Sequence, residues 1–228
     1  MRMNRTLPLL LLSGAYLVHA ADKNADAERL GRAAEVFQEI MGAPDKGVPQ
    51  ELLDKSACIV VVPGLKKGAF VFGAKFGRGV FSCRSKRGPG WSAPGAIRVE
   101  GGSFGLQIGG SETDVIMLVM NQRGAERLLS SRFTLGGDAS VAAGPVGRTA
   151  TAETDAYMTA EILTWSRARG LFAGLSLSGA TLRQDLDTNK TLYGRTLQNK
   201  EIMRGGVAAP DSAKGFLGAL NRYSSRKG

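Results

Sequence analysis

The sequence has 228 residues, of which 43% are hydrophobic and 22% charged, and its formal net charge is +10. This composition excludes a disordered, collagen-like or coiled-coil chain and is typical of one globular domain. The 31 glycines are about twice the number expected at an average usage of about 7%. Because glycine weakens helices, the excess predicts tight turns and closely packed strands.

Residues 1–20 have the features of a secretory signal peptide. A basic start is followed by the apolar run 7–18 and by a small-x-small cleavage site that ends at Ala20. The apolar run is too short to span a bilayer as a helix. We therefore predict cleavage after Ala20 and a single domain over residues 21–228, periplasmic or secreted, with peripheral association with a membrane.

Histidine and cysteine usage narrows the chemistry. The only histidine, His19, is removed by the predicted cleavage, which excludes Ser-His and Cys-His catalysis and histidine-bound metals in the mature chain. Cys58 and Cys83 cannot build a zinc site alone. They either form a disulfide in an oxidising compartment or are two small buried hydrophobic residues, and the sequence leaves both alternatives open.

The amino-terminal part of the mature chain is predicted to be helical. In the segment Asp26–Met41, the residues Leu30, Ala34 and Phe37 lie on one helical face. The polar face is not predominantly basic, so we expect the apolar face to pack against a sheet rather than lie on a membrane. A second short helix is predicted over 49–55.

Strand patterns begin at residue 57. The continuous apolar run Val115–Met120 predicts a central strand that is buried on both faces. Shorter strands, punctuated by glycine, are predicted over 59–62, 69–76, 80–84, 96–99, 104–108, 157–165 and 171–182.

The remaining helices complete the predicted fold. They are expected over 123–130, 185–193 and 211–223, with the second ended by Gly194. In the glycine-rich segment 135–147, we expect backbone geometry to require the glycines at 136, 137 and 144, and Asp138 to bind backbone amides. The elements predict an α+β single domain with a largely antiparallel twisted β-sheet or a β-barrel-like core and helices at both ends.

Two motifs suggest chemistry but are better explained by structure. Gly101–Gly105 matches G-x-S-x-G, yet Ser103 would have no histidine base. Asp185–Asn189 resembles the start of a calcium loop without its required glycine and glutamate, so helix capping by Asp185 or Asp187 is the better interpretation. We therefore predict that the protein is not an enzyme and has no cofactor or metal site.

The positive charge is concentrated in one segment. Between Lys55 and Val99 the sequence contains nine basic residues and no acidic one. We expect this segment to form a surface of one sign that binds an anion, the alternative being a scattered set of solvated charges. Few aromatic residues are present for stacking on bases, which disfavours nucleic acid. The predicted binding residues are Lys66, Lys67, Lys75, Arg78, Arg84, Lys86 and Arg87.

A series of glycine-containing blocks follows in order along nearly the whole mature chain. They are residues 57–63, 67–70, 77–80, 90–94, 101–109, 113–115, 133–148, 166–174 and 192–194. Together these blocks resemble the SYLF lipid-binding domain family, in the form of an exported bacterial member.

The resemblance implies non-catalytic binding to an anionic phospholipid membrane surface. Phosphoinositides are the ligands of eukaryotic members, and for an exported protein we expect another phospholipid headgroup. The resemblance also implies actin binding, which the predicted compartment disfavours. The alternative function is that of a structural or protein-interaction component of the bacterial cell envelope without lipid specificity.

Overall fold

The computed structural model describes residues 13–43, 47–69, 72–85, 88–104, 109–144, 159–168, 171–173, 177–204 and 206–224. The helices are α1 (Ser13–Met41), α2 (Gln50–Lys55), α3 (Gln122–Leu128), α4 (Leu186–Tyr193), α5 (Asn199–Arg204) and α6 (Lys214–Ser224), and a 3-10 turn (Asp211–Ala213) precedes α6. The strands are β1 (Cys58–Ala69), β2 (Phe72–Cys83), β3 (Gly95–Phe104), β4 (Gly109–Val119), β5 (Arg132–Thr134), β6 (Val141–Ala143), β7 (Ile162–Ala168), β8 (Leu171–Ala173) and β9 (Thr181–Gln184). Within these residues, no helix is long and apolar enough to cross a membrane.

The strands form one sheet in the order β5-β9-β3-β2-β1-β4-β7-β6, and β8 also pairs with β7. Among the described strands every pair is antiparallel except β6–β7, which is parallel. The predicted α+β class, with a largely antiparallel sheet and helices from both ends of the chain, is confirmed.

The amino- and carboxyl-terminal helices cover one face of the sheet. Leu30 and Phe37 of α1 are fully buried and share a core with Ile59 and Leu118 of the central strands. α6 joins this core, where the ring of Tyr223 meets that of Phe37 edge-on with 5.8 Å between centroids. Each fully buried side chain of this size contributes about 1.5–3 kcal/mol. The predicted packing of the first helix against the sheet is confirmed.

The β4 strand lies between two cores. Its residues Val115–Val119 are all fully buried. Ile116 and Leu118 contact the helical face, whereas Met117 faces a second core that includes Phe133 of β5. The predicted central strand with two buried faces is therefore confirmed.

The β1–β2 hairpin is longer than the sequence predicted. The sequence predicts two strands, over 69–76 and 80–84, separated by glycines, whereas β2 is continuous from Phe72 to Cys83. Gly77 and Gly79 lie where β1 shifts its register and approaches closely. A Cβ atom at Gly77 would lie 2.7 Å from Leu65 Cδ1, and one at Gly79 would lie 2.5 Å from the carbonyl oxygen of Val61. These glycines accommodate an irregular neighbouring strand instead of ending their own.

Two helices differ from the prediction. α1 spans Ser13–Met41 and so includes residues before the predicted start at Asp26, and α5 was not predicted at all. Asn199 of α5 is fully buried, and its side-chain amide donates to the carbonyl oxygen of Ala96 at 3.2 Å while its Oδ1 accepts from the amide of Asn189 at 2.9 Å. A polar network fixes this short helix, and apolar periodicity cannot reveal such a network.

The structure shows which of the glycines at 136, 137 and 144 are required by backbone geometry. Gly136 has φ of +80°, and a Cβ atom at Gly144 would lie 2.1 Å from an indole carbon, so backbone geometry requires both. Asp138 Oδ2 accepts a hydrogen bond from the amide of Thr134 at 2.8 Å, as predicted. The expectation for Gly137 is wrong, because a Cβ atom there would come no closer than 3.7 Å to Thr134.

The capping interpretation of the aspartate-rich segment is confirmed. Asp185 precedes α4, and its carboxylate accepts from the amide of Thr188 at 3.3 Å. Gly194 ends the helix in the left-handed conformation with φ of 71°. The predicted strand over 171–182 is instead the two strands β8 and β9.

The two cysteines are joined. Cys58 and Cys83 are register partners on β1 and β2 and form a disulfide with an S–S distance of 2.06 Å. Of the two alternatives, the structure therefore shows the disulfide. Residues 1–12, 70–71, 105–108, 145–147, 157–158 and 174–176 of the predicted segments lie outside the described residues, as do the predicted binding residues Lys86 and Arg87.

Candidate functional site

Three of the predicted cationic residues lie together where the central strands extend away from the helices. We call this region the distal sheet end and define it as residues 66–69, 72–76, 100–104 and 109–113. Its register places four strands side by side in the order β3-β2-β1-β4. Because side chains alternate between faces, each row of four partners points to one side of the sheet.

One row brings two lysines together. Lys67 of β1 is the register partner of Lys75 of β2, and the outer members of the row are Gly101 and Ser111. Burial, and then the repulsion from Lys67, lower the pKa of the Lys75 amino group below its usual range. Like charges directly opposite each other destabilise a sheet, and an anion bound at this row would reduce the repulsion between the two lysines.

The next row, on the opposite face, combines a cation with an exposed aromatic ring. Lys66 is the partner of Phe76, and Glu100 and Glu112 complete the row. Phe76 is 47% exposed and is the one large exposed hydrophobic residue in the described part of the chain. An exposed ring beside lysines is typical of surfaces that contact another apolar or interfacial phase.

A third row is almost bare. It consists of Gly102, Ala74, Gly68 and Gly110, so no side chain in it is larger than a methyl group. Among the described residues, apart from Gly68 itself and its two chain neighbours, no heavy atom lies within 4 Å of a Cβ atom built at Gly68. A flat ligand or a membrane surface can therefore approach the backbone of the distal sheet end on this face.

Arg78 has a second task besides facing the surface. Its Nε lies 3.5 Å from Oδ2 of Asp185, and Nε of Arg98 lies 3.8 Å from the same oxygen. Asp185 is only 1% exposed and also caps α4. The pairing ties β2 and β3 to the start of α4, so the guanidinium of Arg78 is partly neutralised within the fold.

Arg84 does not belong to the predicted cationic surface. Its guanidinium lies over the Trp91 ring at 4.0 Å, and Nη2 donates to the carbonyl oxygen of Leu53 at 3.1 Å. Nη1 also donates to the carbonyl oxygen of Ser224 at the end of α6. Because Arg84 precedes a basic turn in the sequence, its side chain was predicted to be exposed. In the structure the side chain points inward and joins two helices to the sheet. It lies at the opposite end of β2 from Lys75.

Sequence reasoning missed a row of arginines. Arg132, Arg183, Arg98 and Arg78 are successive register partners across β5, β9, β3 and β2. Acidic residues accompany them: Arg183 Nη1 lies 3.4 Å from Glu100 Oε2, and Arg98 Nη2 lies 4.0 Å from Asp187 Oδ2. The strand order brings these residues together from three distant segments, so no local signal in the sequence could have found the row.

The structure defines an α+β module whose distal sheet end carries three lysines, two glutamates and an exposed phenylalanine. A family model described as "Las17-binding protein actin regulator" (Ysc84) matches residues 100–223. The chain belongs to this family, the SYLF family of the sequence resemblance, which is thereby confirmed.

Relatives extend the match over most of the chain. It is 31% identical to SH3 domain-containing YSC84-like protein 1 of Rattus norvegicus over 205 residues, which are 89% of this chain and 60% of that protein. It is 34% identical to Protein YSC84 of Saccharomyces cerevisiae over 186 residues, which are 80% of this chain and 39% of that protein. An SH3 domain-containing protein of Schizosaccharomyces pombe is 35% identical over 204 residues, 86% of this chain and 46% of that protein. The chain thus spans between 39% and 60% of the length of these relatives.

Proposed function

We propose that the protein binds the surface of anionic phospholipid membranes through the distal sheet end. The observation that carries the proposal is the direct pairing of Lys67 with Lys75, with Lys66 and the exposed Phe76 in the adjacent row. Arg78, which lies on the same face as Phe76, adds a cation that the fold already shares with an aspartate.

The lysines supply the electrostatic part of this binding. A lysine held near an anionic leaflet contributes roughly 1 kcal/mol. Lys67 and Lys75 project from one face of the sheet and Lys66 from the other, so all three contribute when the distal sheet end meets the membrane edge-on. Together they then contribute about 3 kcal/mol, which corresponds to an affinity change of about a hundredfold. Because exposed charges are screened by salt, this part should weaken as ionic strength rises.

Phe76 supplies a contribution of another kind. Inserting its ring into the interfacial region removes apolar area from water and contributes at most about 1.5–3 kcal/mol. Salt does not screen this term. The bare row that includes Gly68 lets the backbone approach the headgroups, whose phosphates accept hydrogen bonds from amides.

The test is co-sedimentation with vesicles of phosphatidylcholine alone or mixed with phosphatidylglycerol. The chain is produced from Ala21, so that the apolar run 7–18 does not itself enter the bilayer. We expect the protein to sediment with the vesicles that contain phosphatidylglycerol and not with those of pure phosphatidylcholine. Glutamine at Lys66, Lys67 and Lys75 should reduce the affinity on the order of a hundredfold.

The matched control replaces Lys190, Lys200 and Lys214, which lie on helices, with glutamine. This variant removes the same charge and should bind nearly as well as the original protein. Phe76→Ser should reduce binding by about tenfold at both low and high salt. Equal losses in the two triple variants would show that only net charge matters and would refute a localised surface.

We also propose that the protein is exported and acts by binding rather than catalysis. A disulfide between Cys58 and Cys83 is typical of oxidising compartments, and the segment before Ala20 has the pattern of a signal peptide. Loss of His19 by cleavage would leave no histidine base. Mass spectrometry of the protein recovered from a periplasmic fraction tests the cleavage site, and an uncleaved cytoplasmic chain would contradict it.

A second candidate function is the binding of a protein partner, including actin. The description of the family model, which names an actin regulator, favours it. Pelleting with actin filaments, using the same two triple lysine variants, tests this function independently of lipid. Retention on filaments but not on vesicles would favour this candidate over membrane binding.

A further inference from the structure

The disulfide lies in the wall of a cavity at the other end of β1 from the distal sheet end. Cys58 and Lys67 are nine residues apart on this strand, or about 30 Å at roughly 3.3 Å per residue. The cavity has a volume of about 330 Å³. The residues of its apolar wall include Cys58 and Cys83 together with Met120, Ala125, Leu129 and Met203.

The charged residues that line the cavity all have the same sign. They are Lys55 at the end of α2, Arg84 after β2, and Arg204 at the end of α5, and the described lining contains no carboxylate. Arg84 is held against Trp91 and the end of α6, so it contributes positive potential from a fixed position. Lys55 is exposed at the rim, where its amino group can reach a ligand.

A groove lined by residues of α5 adjoins the cavity. A neighbouring space of about 540 Å³ shares Ser85, Ser92, Met203 and Arg204 with the cavity. Met203 lines both spaces, and its sulfur accepts a hydrogen bond from the Ser92 hydroxyl at 2.9 Å. A methionine side chain adapts to irregular apolar ligands, so a chain longer than the cavity itself can extend along this groove.

We propose that this cavity binds an amphiphilic anion, which consists of one alkyl or acyl chain with a carboxylate or phosphate head. The chain lies against Met120, Met203 and the disulfide, while the head faces Lys55 and Arg204. A pocket with an apolar wall and a few convergent polar groups is the usual form of a small-molecule site. This site is separate from the distal sheet end and does not depend on membrane binding there.

The test uses the full chain with ¹³C-labelled methionine methyl groups. Dodecyl phosphate and dodecanoate are titrated separately below their micelle concentrations, and the two arms distinguish a phosphate head from a carboxylate. We expect saturable shifts of the Met120 and Met203 methyl signals. The Met117 signal, from a fully buried residue in the sheet, should stay in place as an internal control. Absence of saturable shifts at Met120 and Met203 would overturn the proposal.

Ligand controls test the stated chemistry. Dodecanol and inorganic phosphate each lack one half of the ligand and should bind at least tenfold more weakly. Dodecyltrimethylammonium carries the opposite charge and should not bind in the cavity. Equal binding of the cationic and anionic amphiphiles would refute the role assigned to the rim.

Protein variants locate the head. Glutamine at both Lys55 and Arg204 should raise the dissociation constant of dodecyl phosphate about tenfold. Glutamine at Lys190 and Arg132, which removes the same charge elsewhere, should leave it unchanged. The triple variant of the distal sheet end should also retain this binding, so failure of the membrane proposal and failure of this one are distinguishable. Equal weakening by the rim variant and its control would contradict the proposed site.

Discussion

Reducing the disulfide between Cys58 and Cys83 should lower the free energy of unfolding by about 3.5 kcal/mol. The two residues are 25 positions apart, and the loop-closure relation assigns an entropy of about 12 cal/mol/K to a loop of this length, or about 3.5 kcal/mol at 25 °C. In the folded state both residues remain register partners of adjacent strands. The stabilisation therefore acts mainly through the unfolded chain.

Urea unfolding of the oxidised and the reduced protein measures this difference directly. For a chain of 150–250 residues, 1 kcal/mol corresponds to a shift in Tm of about 2–4 °C. Reduction should thus lower Tm by about 7–14 °C. Mass spectrometry after alkylation establishes which form is present in each sample.

A double variant, Cys58→Ala and Cys83→Ala, separates the crosslink from the packing of its sulfur atoms. Cys58 is fully buried, so the variant also leaves a small void and should be less stable than the reduced protein by about 1 kcal/mol. If the oxidised and reduced proteins unfold at the same urea concentration, the loop-closure reasoning is wrong for this chain.

Three further predictions concern single residues. Asp185→Asn keeps an N-cap for α4 but leaves Arg78 and Arg98 without their buried carboxylate. It should lower the free energy of unfolding by roughly 2–3 kcal/mol in urea. An unchanged unfolding midpoint would refute the role of the ion pairs. Gly144→Ala places a Cβ atom 2.1 Å from Trp165 and should cost about 1–3 kcal/mol in the same assay, whereas full stability would show that the backbone yields. The folded state lowers the pKa of the Lys75 amino group, so vesicle binding should weaken as pH rises through that lowered pKa. The variant Lys75→Arg stays charged and should move this loss of binding to higher pH. Identical pH profiles of the two proteins would contradict the assignment to Lys75.

Local signals in the sequence predicted the elements that show a characteristic burial pattern or characteristic end residues. The apolar run Val115–Met120 could only be a strand covered on both faces, and Asp185 and Gly194 marked the two ends of α4. The same reasoning failed for β2, because Gly77 and Gly79 resemble strand breakers in the sequence. Glycine is needed at both positions because the neighbouring strand approaches closely, and only the strand pairing in the folded protein reveals this approach.

The candidate site was predicted in composition but not in arrangement. The sequence located the basic segment, yet the register decides which of its side chains share a row. Lys67 and Lys75 meet because β1 and β2 form a hairpin, whereas Arg84 turns inward at the far end of the same strand. Phe76 carried no signal in the sequence, since an aromatic residue within a strand pattern predicts a core position.

The two rows of neighbouring cations differ in the residues that complete them. The row that includes Arg98 and Arg183 is accompanied by acidic residues at 3.4–4.0 Å, as expected where charge pairing serves the fold. The row of Lys67 and Lys75 has glycine and serine at its outer positions instead. Burial, and then the repulsion from Lys67, lower the pKa of Lys75. A membrane phosphate placed at that row would relieve the repulsive part, so part of the binding free energy would come from removing a cost of folding. Binding and proton uptake by Lys75 should then be linked.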